Sequence, residues 1–312
     1  MRKFKSKTNK SGLKYIIVFM VSFLCTLKLM FNNRSILLTL LLNESTKSKE
    51  SMKEYLVTPS NLLYSGMNKI VSKNALNIIN IEEDSFDYSK SKSEFISDPA
   101  PSENSSKPIV YIYNTHQTEE YDLKSMLDYS VKPNVMIASY ILREKLNKKR
   151  IGTLVETNDI KSYLNKHNYK YNMSYHASEY FARKKQEEYP SIKYLIDVHR
   201  DSGSYDNTTL NINGVKYAKI LYVVGLEHTP YENNKGFAEK LNEETESTLR
   251  GLSKGVSYKL GPSKYGVYNP NLNGKSVLIE IGGYENKIEE VNNTIEVLSK
   301  ILEKIIKEET NA

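Results

Sequence analysis

The sequence predicts an α/β domain with a mostly parallel or mixed sheet flanked by helices, preceded by an N-terminal transmembrane helix and a stalk. Three observations support this. Short apolar runs alternate with helical patterns over roughly 200 residues after Pro108. An apolar segment lies near the N-terminus, at residues 15–31. A polar stretch rich in Ser, Lys, Glu and Asn separates the two.

Composition indicates one ordinary folded core and argues against a nucleic-acid partner. The chain has 312 residues, of which 39% are hydrophobic and 26% charged. Its formal net charge is +7, but six basic residues and no acid lie in the first 14 positions, which leaves +1 for the rest. A nearly neutral body has no strong attraction for a polyanion. The six basic residues are Arg2, Lys3, Lys5, Lys7, Lys10 and Lys14.

Residues 1–14 are predicted to be a cytoplasmic tail and residues 15–31 a membrane anchor. The anchor reads YIIVFMVSFLCTLKLMF, and Lys28 near its end can extend to the interface. The basic cluster before it predicts that the rest of the chain lies outside the cytoplasm. A cleaved signal peptide and a buried core helix are the alternatives, although no small-x-small cleavage site follows. Cys25, the single cysteine, lies in this segment, which excludes an intramolecular disulfide and CxxC sites.

Residues 32–107 are predicted to be a linker or stalk with short helices, and residues 108–312 the α/β domain. The stalk would hold the domain away from the membrane, or alternatively dock on a membrane partner. Within the domain the apolar patterns predict strands at 109–113, 151–155, 194–198 and 277–281, a hairpin over 209–224 that turns at Asn213-Gly214, and helices at 134–149, 173–188, 234–249 and 287–307.

Three predicted strands end in reactive side chains. The first leads to His116, Glu119 and Glu120, the strand YLIDV leads to the sequence HRDS, and the strand VLI leads to Glu280. In a parallel sheet such groups meet outside the carboxyl ends of the strands. Two imidazoles and carboxylates are what a hydrolytic zinc site needs, although each residue alone could be structural.

Several nearby residues have two interpretations. Asp197 shares a strand face with His199 and could orient its imidazole, or it could cap a helix. Arg200 could stabilise an oxyanion or a substrate carboxylate, or it could form a structural ion pair with Asp201 or another acid. The other three histidines are expected to be surface or core residues: His167, His176 and His228.

The segments YIYNTHQTEEY, LIDVHRDS and VLIEIGGYEN, in this order, resemble the stage II sporulation protein P family. The resemblance covers about residues 108–306 and includes AKILYVVG, NNKGFAEKLNEETE and YNPNLNGKSVLIE. It implies a membrane-anchored, zinc-dependent peptidoglycan hydrolase with the fold of the type 3 N-acetylmuramoyl-L-alanine amidases.

The resemblance also implies roles for individual residues. His116 and His199 match the family's zinc-binding histidines, Glu119 matches the acid of the first motif, and Glu280 matches the catalytic acid before the glycine pair. The family usually has His-Thr-His where this chain has Asn114-Thr115-His116. We therefore expect Zn²⁺ on His116, Glu119 and His199, with Glu120 as the alternative acid and Glu280 and Arg200 as catalytic residues.

The implied substrate is the amide between muramic acid and L-alanine, and peptide cross-links are a second implied target. The implied setting is the intermembrane space of the developing spore during engulfment, beside other membrane proteins of that machinery. The alternative is a membrane-anchored cell-wall-binding or scaffold protein that retains the fold without the chemistry. The presence of both histidines, Glu119 and Glu280 favours the enzyme.

Overall fold

A computed structural model describes residues 93–123, 132–226, 231–259, 272 and 275–311. The predicted tail, the predicted anchor, most of the stalk and His228 lie outside these residues. Within them, no helix is both long enough and apolar enough to cross a bilayer. The anchor and the domain boundaries therefore stay predictions.

The domain alternates strands and helices, as the apolar patterns predict. The strands are β1 (Val110–Tyr113), β2 (Thr153–Val155), β3 (Tyr194–Asp201), β4 (Thr209–Ile212), β5 (Val215–Ala218), β6 (Ile220–Gly225), β7 (Ser253–Lys259) and β8 (Lys275–Gly283). The helices are α1 (Val135–Lys148), α2 (Ile160–Lys166), α3 (Ser174–Glu188), α4 (Tyr205–Thr208), α5 (Glu232–Thr248) and α6 (Ile288–Asn311). The fold is α/β, with helices flanking a mixed sheet.

Six strands form the central sheet in the order β2-β1-β3-β8-β6-β7. Four neighbouring pairs are parallel, and only β6 and β8 run antiparallel. Because β1, β3 and β8 are parallel neighbours, their carboxyl ends lie at one edge of the sheet. This edge carries the side chains that the sequence singles out.

Both faces of the sheet are covered, which explains why its inner strands read as continuous apolar runs. All four residues of β1 and all eight of β3 are buried. Alternate residues face opposite layers: Tyr111 and Leu195 belong to a cluster with Ala182 of α3. On the other face, Tyr194 contacts Phe237 of α5, and α5 packs on α6 and α6 on α1. Helix α3, with α2 packed against it, therefore covers the face of the sheet that carries Leu195.

The predicted hairpin over 209–224 is wrong in its second half. Strands β4 and β5 pair across Asn213-Gly214 in a separate two-stranded sheet, as the turn signal predicts. The following run ILYVVG leaves the hairpin and joins the central sheet as β6. Every residue of this run is buried, and a hairpin with one solvated face could not bury both faces of the strand. Strand β7 was not predicted, because its sequence SKGVSYK is mostly polar and only partly buried.

Residues 93–107, the end of the predicted stalk, are fastened to the domain by side-chain hydrogen bonds. Arg143 of α1 donates to both carboxylate oxygens of Asp98, and this ion pair is almost fully buried. Asn134 donates to the carbonyl of Glu94 at 2.9 Å, and Asn104 accepts from the backbone of Val155 at 3.1 Å. This segment therefore runs along α1 to the edge strand β2.

Gly282 is a position where only glycine fits. Its φ is +65°, and a Cβ there would lie 2.8 Å from Ala218 Cβ and 2.8 Å from Asn286 Oδ1. We expect Gly282→Ala to lower the free energy of unfolding by about 2 kcal/mol or more, because the strained backbone and the clash add. Denaturant titration of the full chain measures the loss.

Gly236→Ala in α5 is the matched control. Nothing lies within 4 Å of the added Cβ there. The same substitution should raise the free energy of unfolding by roughly 0.5–1 kcal/mol, since alanine is the better helix former. Equal effects of the two substitutions would contradict the steric argument.

Candidate metal centre

Three side chains from two strand ends come together at the carboxyl edge of the sheet. His116 Nδ1 lies 3.2 Å from Glu119 Oε1, and His199 Nδ1 lies 3.3 Å from the same oxygen. One donor atom from each of the three residues falls within 4.8 Å of the others. His199 and Glu119 are buried and His116 is partly exposed. The sequence-predicted ligand set is therefore one cluster.

The loop after β1 is held in place by Asn114, the residue at the family's first histidine position. Its side-chain amide donates to the carbonyl of Val198 at 2.6 Å, and its oxygen accepts from Ser139 at 3.0 Å. Asn114 is buried and lies outside the cluster. In this chain it joins β1 to β3 and α1.

Asp197 lies beside His199 on the same face of β3. Its Oδ1 is 3.0 Å from His199 Nε2. The same carboxylate accepts from the backbone and the hydroxyl of Thr115, at 2.9 and 2.6 Å. Of the two interpretations of Asp197, the structure supports the one in which it orients the imidazole, with Nδ1 facing Glu119.

Buried opposite charges control the protonation of the cluster. Burial opposes ionisation of Glu119, but His199 and His116 hold the pKa of Glu119 well below its usual value. Burial also opposes the charge on His199, yet Asp197 and Glu119 raise its pKa well above the usual value. The pocket therefore favours a positive charge between two carboxylates.

The two neighbouring acids point to different places. Glu119 faces both histidines and also accepts from the backbone N–H of Arg200 at 3.0 Å. Glu120 instead accepts from the backbone N–H of Ser93 at 3.1 Å, in the segment that runs along α1. Glu119 rather than Glu120 belongs to the cluster.

Glu280 lies next to His199 on the adjacent strand. The two residues are paired in the parallel register of β3 and β8, so their side chains share one face of the sheet. Burial, followed by the charge of Asp201, raises the pKa of Glu280 to about 8. A carboxyl group with a pKa near neutrality can both accept and return a proton.

The structure adds Lys254, which the sequence patterns missed because β7 was not predicted. Its ammonium forms an ion pair with the Asp201 carboxylate. Arg200 donates to the backbone carbonyls of Glu120 and Asp201, at 3.2 and 3.1 Å, and is buried. Arg200 therefore braces the loop that carries Glu119.

Two tyrosines from the α3 side also border the cluster and had no signal in the sequence. The ring of Tyr171 stacks on His116 with centroids 5.1 Å apart, and Tyr175 meets His116 edge-on at 5.3 Å. These two rings therefore line the site on the side of His116.

The donor set fits zinc. Zinc hydrolases bind the metal through histidine nitrogens and a carboxylate, and ligands about 2.1 Å from a tetrahedral metal lie roughly 3.4 Å apart. The observed separations of 3.2 and 3.3 Å are close to this value. The charge that the pocket favours is also positive, and Asp197 supports His199 as carboxylates commonly support metal-bound histidines.

Comparisons with known proteins identify related sequences. The family model for stage II sporulation protein P matches residues 34–303. The stage II sporulation protein P of Bacillus subtilis (strain 168) is 36% identical over 200 residues, which is 62% of this chain and 50% of that protein. This chain therefore matches about half the length of that relative.

Three solved structures align with this chain at low sequence identity. The CwlD amidase from Clostridioides difficile, in complex with the GerS lipoprotein, is 14% identical over 65% of this chain and 98% of its own, with a TM-score of 0.41. Cwp6 from Clostridium difficile is 10% identical over 68% and 30%, with a TM-score of 0.40. The apo form of the N-acetylmuramyl-L-alanine amidase Ami1 from Mycobacterium abscessus is 8% identical over 64% and 99%, with a TM-score of 0.36.

Proposed function

Because this chain belongs to the stage II sporulation protein P family, we propose that it is a zinc-dependent peptidoglycan hydrolase that acts during sporulation. The bond cut is the amide between muramic acid and L-alanine. The observation that carries the proposal is the buried cluster of His116, Glu119 and His199 with Glu280 alongside it on the next strand.

The three clustered residues hold the metal in this proposal. His199 is kept in place by Asp197, and Glu119 by the backbone of Arg200. Zinc bound there supplies a Lewis acid that polarises the amide carbonyl and makes a water molecule more acidic. The raised pKa of His199 means that its proton must leave when the metal binds, so binding weakens as the pH falls.

Glu280 is the proton carrier. It takes a proton from the attacking water and returns it to the amine of the departing L-alanine. Its partly exposed position lets it meet substrate, while burial of its surroundings keeps its pKa raised. Arg200 is a positioning residue in this proposal, because its guanidinium donates to the backbone carbonyl of Glu120 and so fixes the loop that carries Glu119.

The products identify the bond. We expect the full chain, loaded with zinc, to release from intact peptidoglycan stem peptides that have a free N-terminal L-alanine. End-group labelling and mass spectrometry detect this amine. If the only products were new reducing sugar ends, the protein would not be an amidase. If the only products were cleaved cross-links, the protein would still be a peptidoglycan hydrolase, but its principal target would be a peptide bond.

We further propose that residues 15–31 anchor the protein and that the domain lies outside the cytoplasm, in the intermembrane space of the developing spore. Peptidoglycan and other membrane proteins of engulfment are its proposed partners. Protease added to protoplasts should remove a C-terminal tag and spare an N-terminal one, because the basic tail stays inside. Protection of the C-terminal tag would contradict this topology, and a shortened soluble form would indicate a cleaved signal peptide.

A further inference from the structure

The large hydrophobic side chains that are exposed, among the residues that the structure describes, are all tyrosines. They are Tyr169, Tyr171, Tyr180 and Tyr284, each between 37% and 44% exposed. Three of them lie within twelve residues of sequence, around the start of α3. Exposed apolar groups gathered in one place commonly mark a binding site.

Tyr169, Tyr171 and Tyr180 belong to a group of tyrosines beside the candidate metal centre. Tyr163 contacts Tyr180 with ring centroids 5.4 Å apart and Tyr169 with centroids 6.5 Å apart. Tyr171 follows Tyr169 by two residues, across Lys170, where the backbone is extended with φ −78° and ψ 163°. Tyr171 stacks on His116. We call Tyr163, Tyr169, Tyr171 and Tyr180 the tyrosine surface.

The chemistry of this surface suits a sugar chain. The face of an aromatic ring is electron-rich and attracts the C–H groups that cover the faces of a pyranose, and the tyrosine hydroxyls can bond to its equatorial hydroxyl and amide groups. A surface that enters a membrane would also expose aliphatic residues, and here none is exposed among the described residues. The ammonium of Lys184, 4.6 Å from the ring centroid of Tyr180, adds a cation at the far end.

We propose that the tyrosine surface binds the glycan strand of peptidoglycan and directs it to the metal centre. This rests on the proposed function for the identity of the polymer. The amide that is cut is attached to a sugar, so that sugar must lie beside His116 when the bond reaches the centre. Its neighbours in the strand then continue over Tyr171, Tyr169 and Tyr180.

Binding to glycan strands from which the stem peptides have been removed tests this proposal. Such strands lack the amide, so binding is measured without cleavage. The full chain, kept in detergent, is assayed by affinity electrophoresis. We expect Tyr169→Ala and Tyr180→Ala each to weaken binding about threefold to tenfold, with a larger loss in the double variant. Tyr169→Phe should retain binding, because it keeps the ring.

Tyr258→Ala on the edge strand β7, at the opposite end of the sheet, is the matched control and should bind like the wild type. Equal binding by the double variant and the wild type, or no glycan binding by the wild type, would overturn the proposal. The proposal would also be overturned if the double variant lost binding to phosphatidylglycerol vesicles while its glycan binding stayed intact. Glycan binding that depends on these tyrosines in a protein without hydrolase activity would sustain this inference and refute only the proposed function.

Discussion

Replacing His199 with alanine is expected to abolish zinc binding and peptidoglycan hydrolysis together. His199 is buried, faces Glu119 through Nδ1 and is supported by Asp197 at Nε2. Removing an outer residue that only supports a metal ligand typically costs 10- to 100-fold in metal affinity, so losing a ligand itself should cost at least about 100-fold. The zinc content of the full chain, measured by elemental analysis, should fall from one zinc per chain to nearly none.

Three further variants keep this test decisive. His199→Ala leaves two buried carboxylates without their positive neighbour, so the fold could weaken and zinc could be lost for that reason. Glu119→Gln removes one of those charges and should also lose zinc, whereas Glu120→Gln should keep it because Glu120 bonds to Ser93. His176→Ala, at an exposed position of α3, is the control for removing a histidine. Full zinc occupancy in folded His199→Ala would remove His199 from the ligand set.

Glu280→Gln is expected to retain zinc and lose turnover. Glu280 is outside the three-residue cluster, so the amide leaves the donor set intact. General acid–base catalysis is typically worth about 10²–10⁴-fold in rate, and we expect kcat to fall by this factor. Glu289→Gln, at an exposed position near the start of α6, makes the same change of charge and should leave kcat unaltered. Wild-type turnover by Glu280→Gln would assign the proton transfer to another acid.

The pH dependence of kcat gives Glu280 a second signature. It accepts a proton only when ionised, so activity should rise with pH through its pKa. That pKa is about 8 without a metal, and a nearby dication would lower it by favouring the ionised form. The zinc enzyme should therefore show an acidic limb with a midpoint below pH 8. This acidic limb should disappear in Glu280→Gln. If Glu280 were purely structural, the limb would remain in the variant with an unchanged midpoint.

Local sequence determined the elements of this domain. The runs IVYIY, YLIDV and VLI are strands because continuous apolar β-formers must be buried on both faces, and the Asn213-Gly214 turn formed where the sequence predicts it. The alternation of these runs with helical patterns also predicted the mixed α/β sheet. The family was recognisable because its motifs are short and contiguous.

Other features depended on contacts between distant parts of the chain. The run ILYVVG belongs to the central sheet rather than to the hairpin, which depends on its pairing with β8. Strand β7 lies at the edge of the sheet and is mostly polar, so no apolar pattern predicts it. The ion pair between its Lys254 and Asp201, 53 residues earlier, could therefore not be predicted from the sequence. The tyrosine surface likewise needs α2 and α3 to pack together, since spacing along the sequence does not show which rings meet.

The sequence by itself therefore determined which residue types reach the edge of the sheet, because each lies within the last four residues of its strand or in the loop that follows. Only the tertiary structure decided which of them meet. Glu119 and Glu120 are adjacent and chemically alike, and the backbone of the loop directs one to His199, 80 residues away, and the other to Ser93. The register of β3 against β8 sets Glu280 beside His199. A one-residue shift would move these side chains to opposite faces, so the site depends on packing and pairing that no local pattern encodes.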